Sequence, residues 1–93
     1  MYATVSHWEF EKFTDEMSEE AETKILPMLK KLGALNAYAI QTGDHTSMVV
    51  TIYPSKEVCN GAMAKIAEVR SEAGDTFSMT MVKAEQGSVI AQM

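Results

Sequence analysis

Cysteine is almost missing from this chain: Cys59 is the only one among 93 residues. A single cysteine forms no disulfide within its own chain and cannot supply the ligands of a Cys-rich zinc site. Small proteins of oxidising compartments usually depend on disulfides for their stability. We therefore expect this protein in a reducing compartment, the cytoplasm.

Basic residues are also scarce, with eight Lys and Arg against thirteen Asp and Glu and a net charge of −5. Binding to nucleic-acid phosphates or to an anionic membrane surface needs clustered positive charge. The apolar runs are a few residues long, far below the roughly 20 residues that cross a bilayer. Residues 1–9 lack a basic segment followed by an apolar one, so we expect no signal peptide. The sequence predicts neither a nucleic-acid partner nor a membrane partner.

Apolar residues, in contrast, are plentiful enough for one core. The chain is 46% hydrophobic and 23% charged, which is typical of a folded protein and not of a disordered one. A domain usually holds about 100 to 150 residues, and no Gly-rich or Pro-rich linker interrupts this chain. We predict that residues 1–93 form a single domain.

Periodicity and capping residues divide the chain into six elements. Thr14 and Ser55 are candidate N-caps of two helices, and Gly33 and Gly74 are candidate helix ends. Pro27 lacks the N–H that an inner helical turn needs, so it should kink the first helix or split it. The predicted elements are a strand over 2–9, a helix over 15–25 and 27–32, strands over 34–42 and 46–53, a helix from Ser55 to Gly74, and a last strand within 77–93 that bends at Gly87.

The two middle strands form the clearest local pattern, a hairpin around Gly43-Asp44-His45. Pairing Thr42 with Thr46 places six residues on one face: Asn36, Tyr38, Ile40, Met48, Val50 and Ile52. Because this is the more apolar face, we expect it to face the helices. Neither face carries many charges, which indicates that both faces are covered.

The order strand, helix, strand, strand, helix, strand predicts an α+β fold. With right-handed crossovers this order builds a ferredoxin-like βαββαβ subunit, a four-stranded antiparallel sheet with both helices on one face. Two helices leave the other face open, and a chain of this size gains stability by burying it. We therefore predict a homodimer through the sheet faces, a dimeric α/β barrel.

Several segments resemble a known family. They are Tyr2-Ala3-Thr4-Val5, the run from Ile25 to Gly33 leading into Ala37-Tyr38, Thr42-Gly43-Asp44, and the strand that ends at Tyr53 before a Ser-headed helix. These segments resemble the dimeric α+β barrel proteins, in particular the antibiotic biosynthesis monooxygenase-like group. The resemblance covers nearly the whole chain and lies in pattern, not in a catalytic signature. It implies a sheet-to-sheet dimer with a small-molecule cavity.

The functions of that group set the functional expectation. Some relatives oxidise polycyclic aromatic compounds without metal or flavin, some isomerise small lactones, and some degrade haem with a histidine on a helix. Both histidines here, His7 and His45, precede the second helix, so haem is not expected. The resemblance implies a small-molecule-binding protein, a cofactor-independent oxygenase or isomerase acting on a hydrophobic or aromatic compound. The alternative is a non-catalytic homodimeric binding or stress-response module.

Three residues are candidates for catalysis: His7, Asn36 and Tyr38. His7 could move a proton as a general base, although a hydrogen bond to backbone or water explains a strand-end histidine more simply. Asn36 and Tyr38 lie two residues apart on one face, where they would either orient a polar ligand group or bond to each other in a structural role.

The remaining notable residues have simpler structural explanations. Trp8 is expected in the core or an interface, and Cys59 as a small buried cysteine. Seven acids between Glu9 and Glu22 fit a solvated helix face, so no metal site is predicted. The six internal methionines either fill the core loosely or line an adaptable apolar pocket.

Overall fold

The computed structural model describes all 93 residues, which form four strands and two helical rods. The first helical rod is broken into three consecutive segments, and the second is one long helix. In chain order the elements are β1 (Tyr2–Glu9), α1 (Asp15–Glu20), a π-helical turn (Ala21–Ile25), α2 (Leu26–Lys31), β2 (Asn36–Gly43), β3 (Thr46–Tyr53), α3 (Lys56–Phe77) and β4 (Thr80–Ser88).

The strands form one sheet in the order β2-β3-β1-β4, and every neighbouring pair is antiparallel. Tyr2 at the start of β1 lies between Tyr53 of β3 and Ser88 of β4. This is the ferredoxin-like α+β fold, with βαββαβ order, that the sequence predicts. None of its helices is long and apolar enough to span a membrane.

Burial alternates along the central strand β1 and shows which side the helices cover. Tyr2, Thr4, Ser6 and Trp8 are buried, whereas the residues between them are only partly buried. Successive side chains of a strand point to opposite faces, so these four residues mark the helix-facing side of the sheet. Their cross-strand partners on β3 lie on the same side, and Thr51 and Tyr53 are buried there as well.

The hairpin has the predicted register but the opposite orientation. Tyr38 pairs with Val50 and Ile40 pairs with Met48, as expected. However, Tyr38 is 55% exposed and Ile40 is 42% exposed, so the apolar face is turned away from the helices and the prediction that it faces them is wrong. We call this side of the sheet the open face; its residues are Ala3, Val5, His7, Asn36, Tyr38, Ile40, Met48, Val50, Ile52, Lys83 and Glu85.

The hairpin turn is also one residue tighter than expected. Gly43 is opposite Thr46, which leaves Asp44-His45 as a two-residue turn. The register shifts at Thr42, whose hydroxyl donates to the Thr46 hydroxyl at 2.8 Å. This bulge restores the pairing that a three-residue loop would have produced.

The first helical rod is interrupted just before its proline, as the sequence predicts. The N–H of Leu26 bonds to the carbonyl of Ala21, five residues back, and the α-helix resumes with Pro27 in its first turn. Pro27 cannot donate to residue 23, and the wider π turn accommodates that missing bond.

The ends of this rod are capped as the sequence predicts. The Thr14 hydroxyl accepts from the N–H of Met17 at 3.3 Å. At the other end Gly33 adopts a φ of +105°, and the N–H of Ala34 bonds to the carbonyl of Leu29. That pairing is a Schellman ending, which favours glycine because a side chain is strained at positive φ.

The second rod, α3, begins at the predicted cap and ends later than predicted. The Ser55 hydroxyl accepts from the N–H of Val58 at 3.3 Å. The helix passes Gly74 and runs to Phe77, so the predicted end at Gly74 is wrong. At the end of the helix, the N–H groups of Ser78 and Met79 both donate hydrogen bonds to the Gly74 carbonyl. Ser78, which follows the helix, adopts the left-handed conformation (φ 53°), in which glycine is the commoner residue.

The last strand, β4, also differs from expectation in where it is irregular. Its register against β1 shifts between the partners of His7 and Trp8, where Lys83 and Met81 flank an extra residue, Val82. The predicted bend at Gly87 is therefore wrong, because Gly87 pairs regularly with Ala3. No strand follows Ser88.

The packed core occupies one end of the space between sheet and helices. Its buried cluster consists of Tyr2, Leu29, Tyr53, Cys59, Ala62 and Ile66. Only 12 of the 93 residues are buried in the single chain. Side chains therefore fill the layer between sheet and helices only in part.

Candidate functional site

A cavity of about 500 Å³ lies between the helix-facing side of the sheet and the two helical rods. It is lined by 25 residues, of which 17 are hydrophobic, and its size lies within the roughly 300 to 1,000 Å³ of small-molecule sites. The aromatic side chains in its wall are Trp8, Phe10, Phe13, Tyr53 and Phe77. The cavity is large enough to hold a flat apolar molecule.

The cavity exists because the strands present small side chains to the helices. Thr4, Ser6, Ala39, Ser47 and Thr51 all line it, and none of them reaches far across the layer. A core reaches native packing density only when side chains from both layers interdigitate. The small residues therefore leave space that the chain itself does not fill.

Hydrogen bonding and aromatic packing fix two parts of the wall. The indole N–H of Trp8 donates to the Ser6 hydroxyl at 2.9 Å, and Trp8 is only 6% exposed, which confirms its predicted burial. Phe10 and Phe13 follow β1, with ring centroids 6.0 Å apart and ring planes tilted by 52°. These rings form a rigid apolar boundary at this end of the cavity.

Tyr53, in the wall of the cavity, carries a buried polar group without a hydrogen-bond partner. It ends β3, is fully buried, and its hydroxyl has no hydrogen-bond partner. Buried polar side-chain atoms nearly always have one. Burial, together with the nearby Cys59 thiol, raises the pKa of the Tyr53 phenol, while Arg70 acts in the opposite direction. The phenol therefore stays protonated and able to donate.

Arg70 is the second unusual polar group in the wall. It is the single arginine among the eight basic residues, it lines the cavity from α3, and it takes part in no ion pair. Partial burial lowers the pKa of its guanidinium, whereas Tyr53 and Cys59 act to raise it. Glu22, exposed on the π-helical turn, is the only acidic residue in the lining.

The three residues predicted for catalysis lie elsewhere, on the open face. His7, Asn36 and Tyr38 share that face, but none of them lines the cavity. The prediction that Asn36 and Tyr38 point into a pocket below the helices is wrong, because it followed from the reversed orientation of the hairpin. His7 pairs with Met48, which pairs with Ile40, so His7 is two strands away from β2, about 10 Å.

His7 has an acidic neighbour that sequence reasoning did not provide. Its Nε2 lies 3.5 Å from a carboxylate oxygen of Glu85, and the Lys83 ammonium lies 3.4 Å from the same oxygen. β4 supplies both residues, because it pairs beside β1 although it is the last strand in sequence. The three side chains form a partly exposed charged cluster on the β1–β4 half of the open face.

Tyr53 and Arg70 are the site residues that sequence reasoning missed. A signal for Arg70 was present, since it lies four residues after Ile66 and three before Ala73 on the apolar stripe of α3. Tyr53 was missed because the hairpin was predicted in the opposite orientation, which places Tyr53 on the face turned away from the helices. Cys59 is buried as predicted, and burial raises the pKa of its thiol, which makes it less reactive.

Comparison with known proteins identifies the fold. No protein-family model and no curated protein matches this sequence. A similar solved structure is the crystal structure of a dimeric ferredoxin-like protein from an uncultured marine organism, with a TM-score of 0.70 and 15% sequence identity. The match covers 100% of this chain and 98% of that one, and it shows that the whole chain has the ferredoxin-like fold.

Proposed function

We propose that this protein is a homodimeric small-molecule-binding protein, related to the antibiotic biosynthesis monooxygenase-like group, that takes a hydrophobic compound into the cavity between sheet and helices. The observation that carries this proposal is the cavity itself, about 500 Å³ in a chain with only 12 buried residues. Unfilled apolar volume destabilises a protein in proportion to its size. A ligand that fills it restores the missing contacts.

The proposed dimer forms through the open face. Val5, Tyr38, Ile40, Val50 and Ile52 lie there without a covering helix, and isolated apolar faces of this kind are typical of interaction sites. The similar ferredoxin-like structure is described as dimeric, which supports the same assembly here. Two sheets packed face to face, about 10 Å apart, would form the dimeric α/β barrel.

Catalysis on the open face is a second candidate function, favoured by the contact between His7 and Glu85. A carboxylate beside an imidazole can hold the ring in position for a proton transfer. His7 lies on β1 and Asn36 and Tyr38 lie on β2, about 10 Å apart with β3 between them. A substrate bound on this face would have to span β3 to contact all three residues.

Binding to the cavity is tested by fluorescence titration with N-phenyl-1-naphthylamine, an uncharged apolar probe. Ala73 lines the cavity from α3, so Ala73→Trp should occupy the space and abolish the fluorescence increase. Ala64→Trp is the matched control, because Ala64 is exposed on the same helix and outside the cavity. A wild-type protein that does not bind the probe, or an Ala73→Trp variant that binds it as well as wild type, would refute the proposal.

Dimerisation is tested by light scattering after size exclusion. Val50→Asp places a charge at the centre of the open face and should give a monomer, because an unpaired buried charge is strongly destabilising. Val82→Asp is the control, since Val82 is exposed at the bulge of β4. A wild-type monomer at micromolar concentration would remove this part of the proposal.

A further inference from the structure

We propose that the cavity selects ligands that carry a carboxylate, and that this group binds between the guanidinium of Arg70 and the hydroxyl of Tyr53. This inference rests on the proposed function, because it names the class of ligand for the same cavity. It is carried by two unpartnered hydrogen-bond donors in one apolar wall.

The Tyr53 hydroxyl is the first of these donors. It has no partner although its residue is fully buried and lines the cavity. A phenol that keeps its proton offers one O–H donor, and a donor left unpaired in an apolar site favours any acceptor that can reach it. No side chain of this chain supplies that acceptor.

The Arg70 guanidinium is the second donor and determines the charge of the acceptor. Arginine carries five N–H donors, has no acceptor atom, and keeps its positive charge in proteins. Its planar fork matches the two oxygens of a carboxylate, which makes such pairs short and strong. Arg70 takes part in none of the ion pairs of this chain, so no carboxylate of the protein pairs with its guanidinium.

The charges around the cavity favour an external carboxylate over an internal one. Glu22 is the only acid in the lining; it is exposed on the π-helical turn and makes no ion pair with Arg70. The neighbouring Cys59 thiol has its pKa raised by burial and so stays neutral. The cavity lining therefore holds one arginine without an ion pair and one buried hydroxyl without a hydrogen-bond partner.

The rest of the wall determines the body of the ligand. Seventeen of the 25 lining residues are hydrophobic, and four of them are Trp8, Phe10, Phe13 and Phe77. An apolar, preferably aromatic body satisfies this surface by burial and ring stacking. The ligand class is thus an apolar molecule with a single carboxylate.

The test compares two ligands of the same shape, 2-naphthoate and 2-naphthamide, by isothermal titration at neutral pH. Wild type should bind the acid at least about tenfold more tightly, because a charge-assisted bond to arginine is replaced by a neutral one. Arg70→Gln should weaken binding of the acid by about tenfold to a hundredfold and leave the amide nearly unchanged. Tyr53→Phe should weaken binding of the acid by about threefold to tenfold.

Two further variants complete the experiment. Lys65→Gln removes one positive charge from the exposed surface of the same helix and should leave both affinities unchanged. Arg70→Lys keeps the positive charge but lacks the planar guanidinium that matches both carboxylate oxygens. Compared with Arg70→Gln, it should recover part of the preference for the acid. It also substitutes for Arg70→Gln if that variant does not fold.

The outcomes separate this inference from the proposed function. Equal affinity of wild type for acid and amide, or the same loss of acid binding in Lys65→Gln as in Arg70→Gln, would overturn the carboxylate site and leave the apolar cavity intact. Failure of both naphthalene ligands, while N-phenyl-1-naphthylamine still binds, would also overturn only the carboxylate site. Failure of all three compounds would overturn the cavity as a binding site.

Discussion

The unpartnered hydroxyl of Tyr53 leads to a stability prediction that runs against the usual effect of core substitutions. Tyr53→Phe removes one oxygen atom from a fully buried side chain and leaves its ring in place. A buried polar atom without a hydrogen bond costs about 1 to 3 kcal/mol. The small void left by the oxygen offsets part of this gain, so we expect the variant to be more stable by about 1 kcal/mol.

Urea unfolding of the ligand-free protein, followed by far-UV circular dichroism, measures this change. A gain of 1 kcal/mol should also raise the melting temperature by about 4 to 8 °C in a domain of this size. Protein concentration must be the same for all variants, because the proposed dimer would make the melting temperature depend on concentration.

Tyr2→Phe is the matched control for this measurement. Tyr2 lies directly opposite Tyr53 on β1 and belongs to the same buried cluster, but its hydroxyl is not a buried unpartnered atom. Its removal should change stability by no more than about 0.5 kcal/mol. If Tyr53→Phe lowers stability by 1 kcal/mol or more while Tyr2→Phe does not, the Tyr53 hydroxyl has a partner in the ligand-free protein, and the reasoning is wrong.

Three further predictions concern backbone strain and pH. Gly33→Ala should destabilise the protein by about 1 to 2 kcal/mol, measured by urea unfolding. The φ of residue 33 is +105°, and the new Cβ would lie 2.7 Å from a methyl carbon of Val58. A loss of less than about 0.5 kcal/mol would contradict this prediction. Ser78→Gly should raise the free energy of unfolding by about 0.5 to 1 kcal/mol, because glycine relieves the strain of the left-handed backbone at the end of α3. A loss of stability would show that the serine side chain makes a stabilising contact there. Burial raises the pKa of the Cys59 thiol and of the Tyr53 phenol above their ordinary values of 9.0 and 10.0. As pH rises through these ordinary values, the unfolded chain loses the two protons while the folded protein keeps them. The free energy of unfolding should therefore fall over this pH range. Unfolding measured at a series of alkaline pH values should show a smaller fall in Cys59→Ala, and a stability that does not change with alkaline pH would refute the assignment.

The sequence contains enough local information to predict the elements and their pairing. The turn residues around Asp44 and the period-two pattern on either side identify the hairpin and its register. Thr14, Gly33 and Ser55 mark helix ends through local hydrogen bonds and local backbone geometry, which do not depend on the rest of the fold. Gly74 does not end α3, because a glycine inside a helix lowers the stability of the helix without preventing it from forming. The packing of α3 outweighs that cost.

The orientation of the hairpin could not be predicted from the same pattern. The rule that the more apolar face meets the helices assumes that the helices provide the only cover. In this protein the larger apolar residues, such as Tyr38 and Ile40, lie on the open face, while small residues such as Ala39 and Ser47 face the helices. The candidate site was misplaced for the same reason. The place of Arg70 on the apolar stripe of α3 could be seen in the sequence, but the unfilled space beside Arg70 and Tyr53 is a property of the packed layers.

Alternation along the strands has a consequence for how this protein can diversify. Thr4 and Val5 are neighbours in sequence, yet one lines the cavity and the other lies on the open face. Substitutions at alternate positions would therefore alter the proposed ligand binding and the proposed assembly independently of each other. An insertion or deletion of one residue within β1 or β3 would exchange the two sets of side chains and change both properties together. Changes of length should be tolerated in the connections, such as the Asp44-His45 turn, and strand lengths should stay constant among relatives.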